Sequence, residues 1–243
     1  MILLLSTSDT DLTSARSSGA DYRLANPART ELDAVPALLD GAHVVVVRIL
    51  GGRRAWEDGL DTVLAAGLPV VVLGGEQAPD AELMELSRAP GGVVAQAHAY
   101  LSQGGAENLG QLFNFLSDTL LLTGYGFAEP VATPTWGVLE RSSSASGPVV
   151  GVLYYRAQHL AGNTAYIESL CTAIESAGGR ALPVFCASLR TAEPELLETL
   201  KQADALITTV LAAGGTLPSS ASAGGDDGAW DVAALAALDV PIL

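Results

Sequence analysis

Four stretches of this sequence leave little choice of local structure: residues 2–5 (ILLL), 44–49 (VVVVRI), 69–73 (PVVVL) and 149–154 (VVGVLY). Each is short, almost wholly apolar and mostly aliphatic, with valine dominant in three of them. A run of this length with no polar alternation predicts a strand buried on both faces. Strands of that kind belong to parallel sheets, whose crossover helices cover both sides.

The intervening segments supply the helices. After residues 2–5, Ser8 or Asp9 can cap a helix that runs to about Arg16, and Ser17-Ser18-Gly19 breaks it. Tyr22 to Ala25 reads as a short extended piece before Asn26-Pro27. Thr30 is placed to cap a helix carrying Leu32, Val35, Leu38 and Leu39, ended by Gly41. Trp56, Leu60, Val63 and Leu64 share one helical face, and Leu83, Met84 and Leu86 another. Val93-Val94 predicts a fourth short strand, followed by helices around 97–102 and 107–122.

The second half repeats this alternation. The strand at 149–154 sits behind the Gly147-Pro148 breaker, then come helix 165–177, strand 181–185, helix 194–202 and strand 205–209. A loop over 211–226, a helix over 229–238 and a strand starting at Pro241 complete the pattern. The stretch between the halves is rich in Gly, Pro, Ser and Thr, with Trp136 to Leu139 suited to docking as an edge strand. The expected class is therefore α/β, with two consecutive parallel-sheet domains of Rossmann or flavodoxin-like type. Their expected limits are 1–127 and 147–243, joined by a linker over 128–146. The run Val240-Pro241-Ile242-Leu243 reads as an unfinished strand, so the second domain is expected to be truncated and the chain to be an N-terminal fragment.

Composition excludes some function classes. A net charge of −15 with few Lys and Arg argues against a nucleic-acid or anionic-membrane surface. No apolar run reaches the length of a membrane span. Met1 to Leu5 lacks a basic flank and does not read as a signal peptide. Cys171 is expected in a helix and Cys186 at a strand end, as free thiols of a cytoplasmic protein or, with less support, a disulfide.

Candidate sites cluster after strands. Arg48, Arg53 and Arg54 surround Gly51-Gly52, where guanidinium groups could hold carboxylates in bidentate fashion; alternatively they pair with Glu57, Asp58 or Asp61 of the next helix. Neither Gly51-Gly52 nor Gly74-Gly75-Glu76 matches a phosphate-loop spacing, so no nucleotide site is expected. Arg156, His159, Asn163 and Thr164 occupy a polar loop between the strand at 149–154 and the next helix, with Asn163 or Thr164 as its cap. That loop either takes a ligand or packs the domains together. His159 stands without a second ligand-spaced His, Cys or carboxylate, so no metal site is assigned. His43 and His98 suit the start of a strand and a helix surface and are assigned nothing. Gly224-Gly225-Asp226-Asp227 offers paired carboxylates that a solvated helix start explains equally well. Ser6-Thr7-Ser8-Asp9 has no partner histidine at a readable spacing, so a hydrolase triad is not supported.

The same strand-to-helix region carries a family resemblance. YYRAQHLAGNTAYIESLCTAIE contains a YR-x-x-x-x-x-GNT block similar to that of the large subunit of aerobic cobaltochelatase, a relative of the porphyrin-binding subunit of magnesium chelatase. ILLLSTSDTDL, VVVRILGGRRAWEDGLD, LGGEQAPDAELMELS, NFLSDTLLLTGYGF, TVLAAGGT and SAGGDDGAWDV follow the family's blocks in the same order. The resemblance implies ATP-dependent insertion of Co²⁺ into hydrogenobyrinic acid a,c-diamide in cobalamin biosynthesis. It implies a tetrapyrrole substrate, AAA+ ATPase partner subunits that bind the Mg-ATP, and no cofactor on this chain. The metal-insertion centre is expected in the longer family subunit beyond this stretch, so no catalytic residue is assigned. A magnesium chelatase subunit binding protoporphyrin and a non-enzymatic two-lobed binding module are the alternatives.

Overall fold

The computed structural model describes residues 1–142, 145–189, 192–210 and 236–243. They form two compact units, Met1–Thr133 and Pro134–Leu243.

The first unit runs β1 (Ile2–Ser6), α1 (Asp9–Ser17), β2 (Tyr22–Ala25), α2 (Val35–Leu39), β3 (Val44–Ile49), α3 (Glu57–Ala65), β4 (Val70–Gly74), α4 (Ala81–Glu85), α5 (Gly91–Gln103) and α6 (Gly105–Leu120). Its sheet has the order β2-β1-β3-β4, and every pairing is parallel. The all-apolar runs are explained by their two faces. Leu3, Leu5, Val45, Val47, Val70 and Val72 pack with Val35, Leu60, Val63 and Leu83 on one side. Ile2, Leu4, Val44, Val46 and Val71 pack with Leu12, Val94, Leu101, Leu112 and Leu116 on the other. Burying one such side chain contributes roughly 1.5–3 kcal/mol, so polar residues in these runs would be selected against on both faces.

Two local expectations change. Val93 and Val94 lie in α5, not in a strand. Their β-branching suggests a strand, but Val94, Ala97 and Leu101 are all buried at helical spacing on the side facing the sheet. Thr30 does not open a helix. It closes a 3-10 turn over Pro27–Arg29 that Asn26 caps by accepting the Ala28 N–H, and the helical turns begin after Glu31.

Residues 121–133 belong to the first unit. Asn108 binds Val131 through both backbone groups, at 2.8 and 3.0 Å. Gln111 Oε1 accepts the Ala128 N–H at 2.7 Å, and Gln103 Oε1 that of Thr133 at 2.9 Å. The division between the units thus falls at 133/134, inside the stretch expected as a linker.

The second unit contains β5 (Trp136–Val138), β6 (Val149–Tyr155), α7 (Arg156–Leu160), α8 (Ala165–Ser176), β7 (Arg180–Cys186), α9 (Pro194–Leu200) and β8 (Ala205–Thr208). The sheet order is β5-β7-β6-β8. β5 is the antiparallel edge strand on β7, and β6 is parallel to both its neighbours. Leu206 forms a single parallel bridge with Ile242, supported by Leu206 N–H to Pro241 O at 2.8 Å. With that bridge, the order from β7 through β6 and β8 to residue 242 repeats that of β2, β1, β3 and β4. The loop expected over 211–226, most of the helix over 229–238 and the Gly224-Gly225-Asp226-Asp227 carboxylates lie outside the described residues.

Candidate functional site

In a parallel sheet, ligands meet the chain where the carboxyl ends of the strands part at a reversal of strand order. In the first unit that point lies between β1 and β3, and Arg48 occupies it. Its Nε donates to Gly74 O at 3.3 Å, Nη1 to Asp11 Oδ1 at 2.9 Å and Leu101 O at 3.1 Å, and Nη2 to Gly75 O at 2.9 Å. Ser6 Oγ donates to the other Asp11 oxygen at 2.6 Å. Arg48 is therefore turned inward and closes the crevice with the fold's own acceptors. Its partner is Asp11, not the acids of α3.

The other two arginines behave differently. Arg53 is paired to α3, with Nη2 2.9 Å from Asp61 and Nε 3.4 Å from Glu57. Arg54 is exposed and enters no ion pair among the described residues. The three side chains do not form one anion-binding fork. Gly51 and Gly52 are required by their positive φ of +92° and +75°, and Gly74-Gly75 by packing. A Cβ on Gly75 would stand 2.9 Å from the Leu50 backbone, and one on Gly74 2.8 Å from Asp80 Cβ.

His98, expected on a helix surface, is instead buried in α5, and its Nε2 has no hydrogen-bond partner among the described residues. Burial, and secondarily the Arg48 charge, pushes its pKa below the ordinary imidazole value. The signal was present in the sequence: residue 98 falls on the same helical face as Val94 and Leu101.

In the second unit, β6 is the central strand and its carboxyl end opens between those of β7 and β8. The expected polar loop is replaced by α7, which starts directly after the strand, and Gly162 with φ +70° then turns the chain toward α8. Arg156 is buried at the start of α7, where its Nε donates to Pro134 O at 2.6 Å. Thr164 stands at the N-cap of α8 without a side-chain capping bond; its carbonyl accepts the Glu168 N–H. Asn163 is exposed and donates its backbone N–H to Gln158 O at 2.9 Å.

His159 is held by two aromatic neighbours. Its ring lies on Phe185 with centroids 3.9 Å apart and planes 12° from parallel. Its Nδ1 is 3.1 Å from the hydroxyl of buried Tyr154. Burial lowers the histidine pKa and raises that of the Tyr154 phenol, so both are neutral at neutral pH. On the same unit, the Tyr166 hydroxyl donates to Gln158 Oε1 and lies 3.4 Å from Thr209 Oγ1. The structure thus brings together Gln158, Tyr166 and Thr209, sets His159 against Tyr154 and Phe185, and turns Arg156 inward. This edge offers neutral donors and acceptors that suit the oxygen-bearing periphery of a polar ligand. Among the described residues, no group of three or more His, Cys, Asp or Glu is placed to hold a metal ion, and no helix is long and apolar enough to cross a membrane.

Comparison with known proteins connects these features to a family. The catalytic subunit of cobaltochelatase from Mycobacterium tuberculosis is 63% identical, with a TM-score of 0.69, over 100% of this chain and 21% of its own length. The aerobic cobaltochelatase subunits CobN of Pseudomonas aeruginosa and of a Sinorhizobium species are each 31% identical, over 72% and 79% of this chain. The chain spans only 16% and 18% of those two relatives. The family model described as CobN/Magnesium Chelatase matches residues 98–243, more than half of the sequence, and the chain belongs to that family.

Proposed function

We propose that this chain is part of the large, tetrapyrrole-binding subunit of aerobic cobaltochelatase. In the assembled enzyme it would serve ATP-dependent insertion of Co²⁺ into hydrogenobyrinic acid a,c-diamide during cobalamin biosynthesis. The observation that carries this reading is the 63% identity, along the whole chain, to a cobaltochelatase catalytic subunit. Co²⁺ is a substrate in this reading, and Mg-ATP is bound and hydrolysed by AAA+ partner subunits. The lack of a phosphate-loop spacing supports that division of labour. A cytoplasmic setting suits two buried, unpaired thiols.

Within the subunit, this stretch acts on the binding side. His159, with Gln158, Tyr166 and Thr209, provides the polar edge that meets the macrocycle periphery. Asn163 is exposed and available to its carboxylate arms. The shared family name also covers magnesium chelatases, whose ligand would be protoporphyrin. The relatives named above are cobalt enzymes, which favours the corrinoid.

An absorbance titration of the chain with hydrogenobyrinic acid a,c-diamide, protoporphyrin and a control sugar separates these readings. A saturable shift with the corrinoid precursor is expected. Saturation by protoporphyrin alone would move the assignment to magnesium chelatase, and sugar binding alone would make the chain a binding module of another kind.

A further inference from the structure

Tyr154 is an unusual residue for the last buried position of a central parallel strand. Its side chain is fully buried, yet it carries a hydroxyl that needs a partner. Among the described residues the partner is His159 Nδ1, at 3.1 Å. The phenol is held well above its ordinary pKa by burial, so it keeps its proton. If Nδ1 carried a hydrogen, the Tyr154 hydrogen would be left in the core without an acceptor, and leaving a buried donor unpaired is the costlier arrangement. The phenol therefore donates and Nδ1 accepts. A neutral imidazole has one N–H, so that hydrogen sits on Nε2.

Phe185 fixes the remaining freedom. Its ring, buried and nearly parallel to the imidazole, holds the plane of His159 while the Tyr154 bond holds its rotation. Among the described residues no hydrogen bond occupies Nε2, and it is not among the buried polar atoms that lack a partner. The nitrogen that bears the hydrogen is the one left open at the carboxyl edge of the sheet.

We infer that Tyr154 is a positioning residue that locks His159 as a neutral Nε2–H donor for an acceptor oxygen of the ligand. That oxygen is the carbonyl-type oxygen of a peripheral carboxylate or carboxamide. The inference rests on the proposed corrinoid site and adds to it the atom that recognises the substrate and the residue that prepares it.

Long-range ¹H–¹⁵N correlation spectra of the imidazoles test the first half. At neutral pH, His159 should give one protonated nitrogen, Nε2, and one unprotonated nitrogen, Nδ1. Tyr154→Phe keeps the ring packing and removes the hydroxyl, so His159 should then populate both tautomers. A wild-type Nδ1–H tautomer, or an unchanged tautomer in Tyr154→Phe, would overturn the positioning role. The second half is read by titrating the chain with hydrogenobyrinic acid a,c-diamide. The His159 Nε2–H resonance should shift on binding. His159→Phe, which retains the stack on Phe185, should weaken binding about fivefold to tenfold, whereas His159→Gln, which retains an N–H, should lose less. Binding that leaves the Nε2–H resonance unmoved would overturn the donor role alone. Absence of corrinoid binding by the wild-type chain would overturn the site reading beneath it.

Discussion

Arg48 and Asp11, 37 residues apart in sequence, meet at 2.9 Å across the carboxyl edge of the first sheet, with only 9% and 10% of their side chains exposed. The register of β1 on β3 sets Ser6 opposite Arg48, which carries the start of α1 to the guanidinium. Breaking a buried, hydrogen-bonded pair leaves an uncompensated charge.

Arg48→Ala and Asp11→Asn should therefore each destabilise the first unit by about 3–5 kcal/mol. Denaturant unfolding of the single variants and of the double variant is the measurement. The double variant should lose much less than the sum of the two, because the second deletion removes a charge that the first had stranded. Additive losses would show that the pair is not coupled.

This pair also marks the limit of what the sequence discloses. The strands were legible because residues such as Val45 and Val46 point to opposite faces and both faces are covered. Arg48 stood out as a polar interruption of an apolar run, but its partner was unreadable. Acids nine to thirteen residues downstream looked available, while Asp11 is delivered by strand pairing and not by local spacing. His159 was visible as a polar residue after a strand. The two rings that hold it, Tyr154 and Phe185, were read only as apolar strand residues, because tertiary pairing of β6 with β7 sets Tyr154 beside Phe185.

His98 gives the first unit an acid-sensitive point. Its folded pKa lies below the ordinary imidazole value of 6.5, chiefly through burial and then through Arg48. A group whose protonation is disfavoured in the fold contributes no penalty above the unfolded pKa. Stability is then lost as pH falls from about 6.5 toward the folded pKa, because the unfolded chain binds the proton more readily. Protection factors of α5 amides, which compare exchange with its intrinsic rate at each pH, should fall over this window. In His98→Gln that fall should be reduced; an unchanged profile would place the sensitivity elsewhere.

Gly147 stands where no side chain fits. A Cβ there would lie 1.7 Å from the carbonyl oxygen of Gly178, a backbone atom that cannot swing aside. Gly147→Ala should destabilise the second unit by roughly 3 kcal/mol, the upper end for overpacking, or prevent soluble expression. Gly91, at the start of α5, has open space around its Cβ position. Gly91→Ala should be neutral or stabilising by up to about 1 kcal/mol through the unfolded chain. Thermal midpoints of the two variants, measured side by side, distinguish a packing requirement from a general intolerance of glycine replacement.

The two cysteines should be silent in the folded chain. Cys171 packs on the β6 side of α8 with Val152 and Tyr154, and Cys186 ends β7 among Leu153, Leu189 and Leu196; both are free and buried. Burial raises the Cys171 thiol and pushes Cys186 up to about 11. The thiolate is the nucleophile, so at pH 8 both low ionisation and lack of access suppress reaction. An aromatic disulfide reagent should therefore label neither residue under native conditions and both after denaturation. The order of labelling during a denaturant titration carries further information. Cys186 sits in the sheet, bridged by β5 and β6, and should remain protected until the strands separate. Cys171 lies on α8, the helix packed on that sheet, and should react at lower denaturant if α8 lifts first. Rapid native labelling of either thiol would mean that the second unit opens locally far more often than its buried core implies.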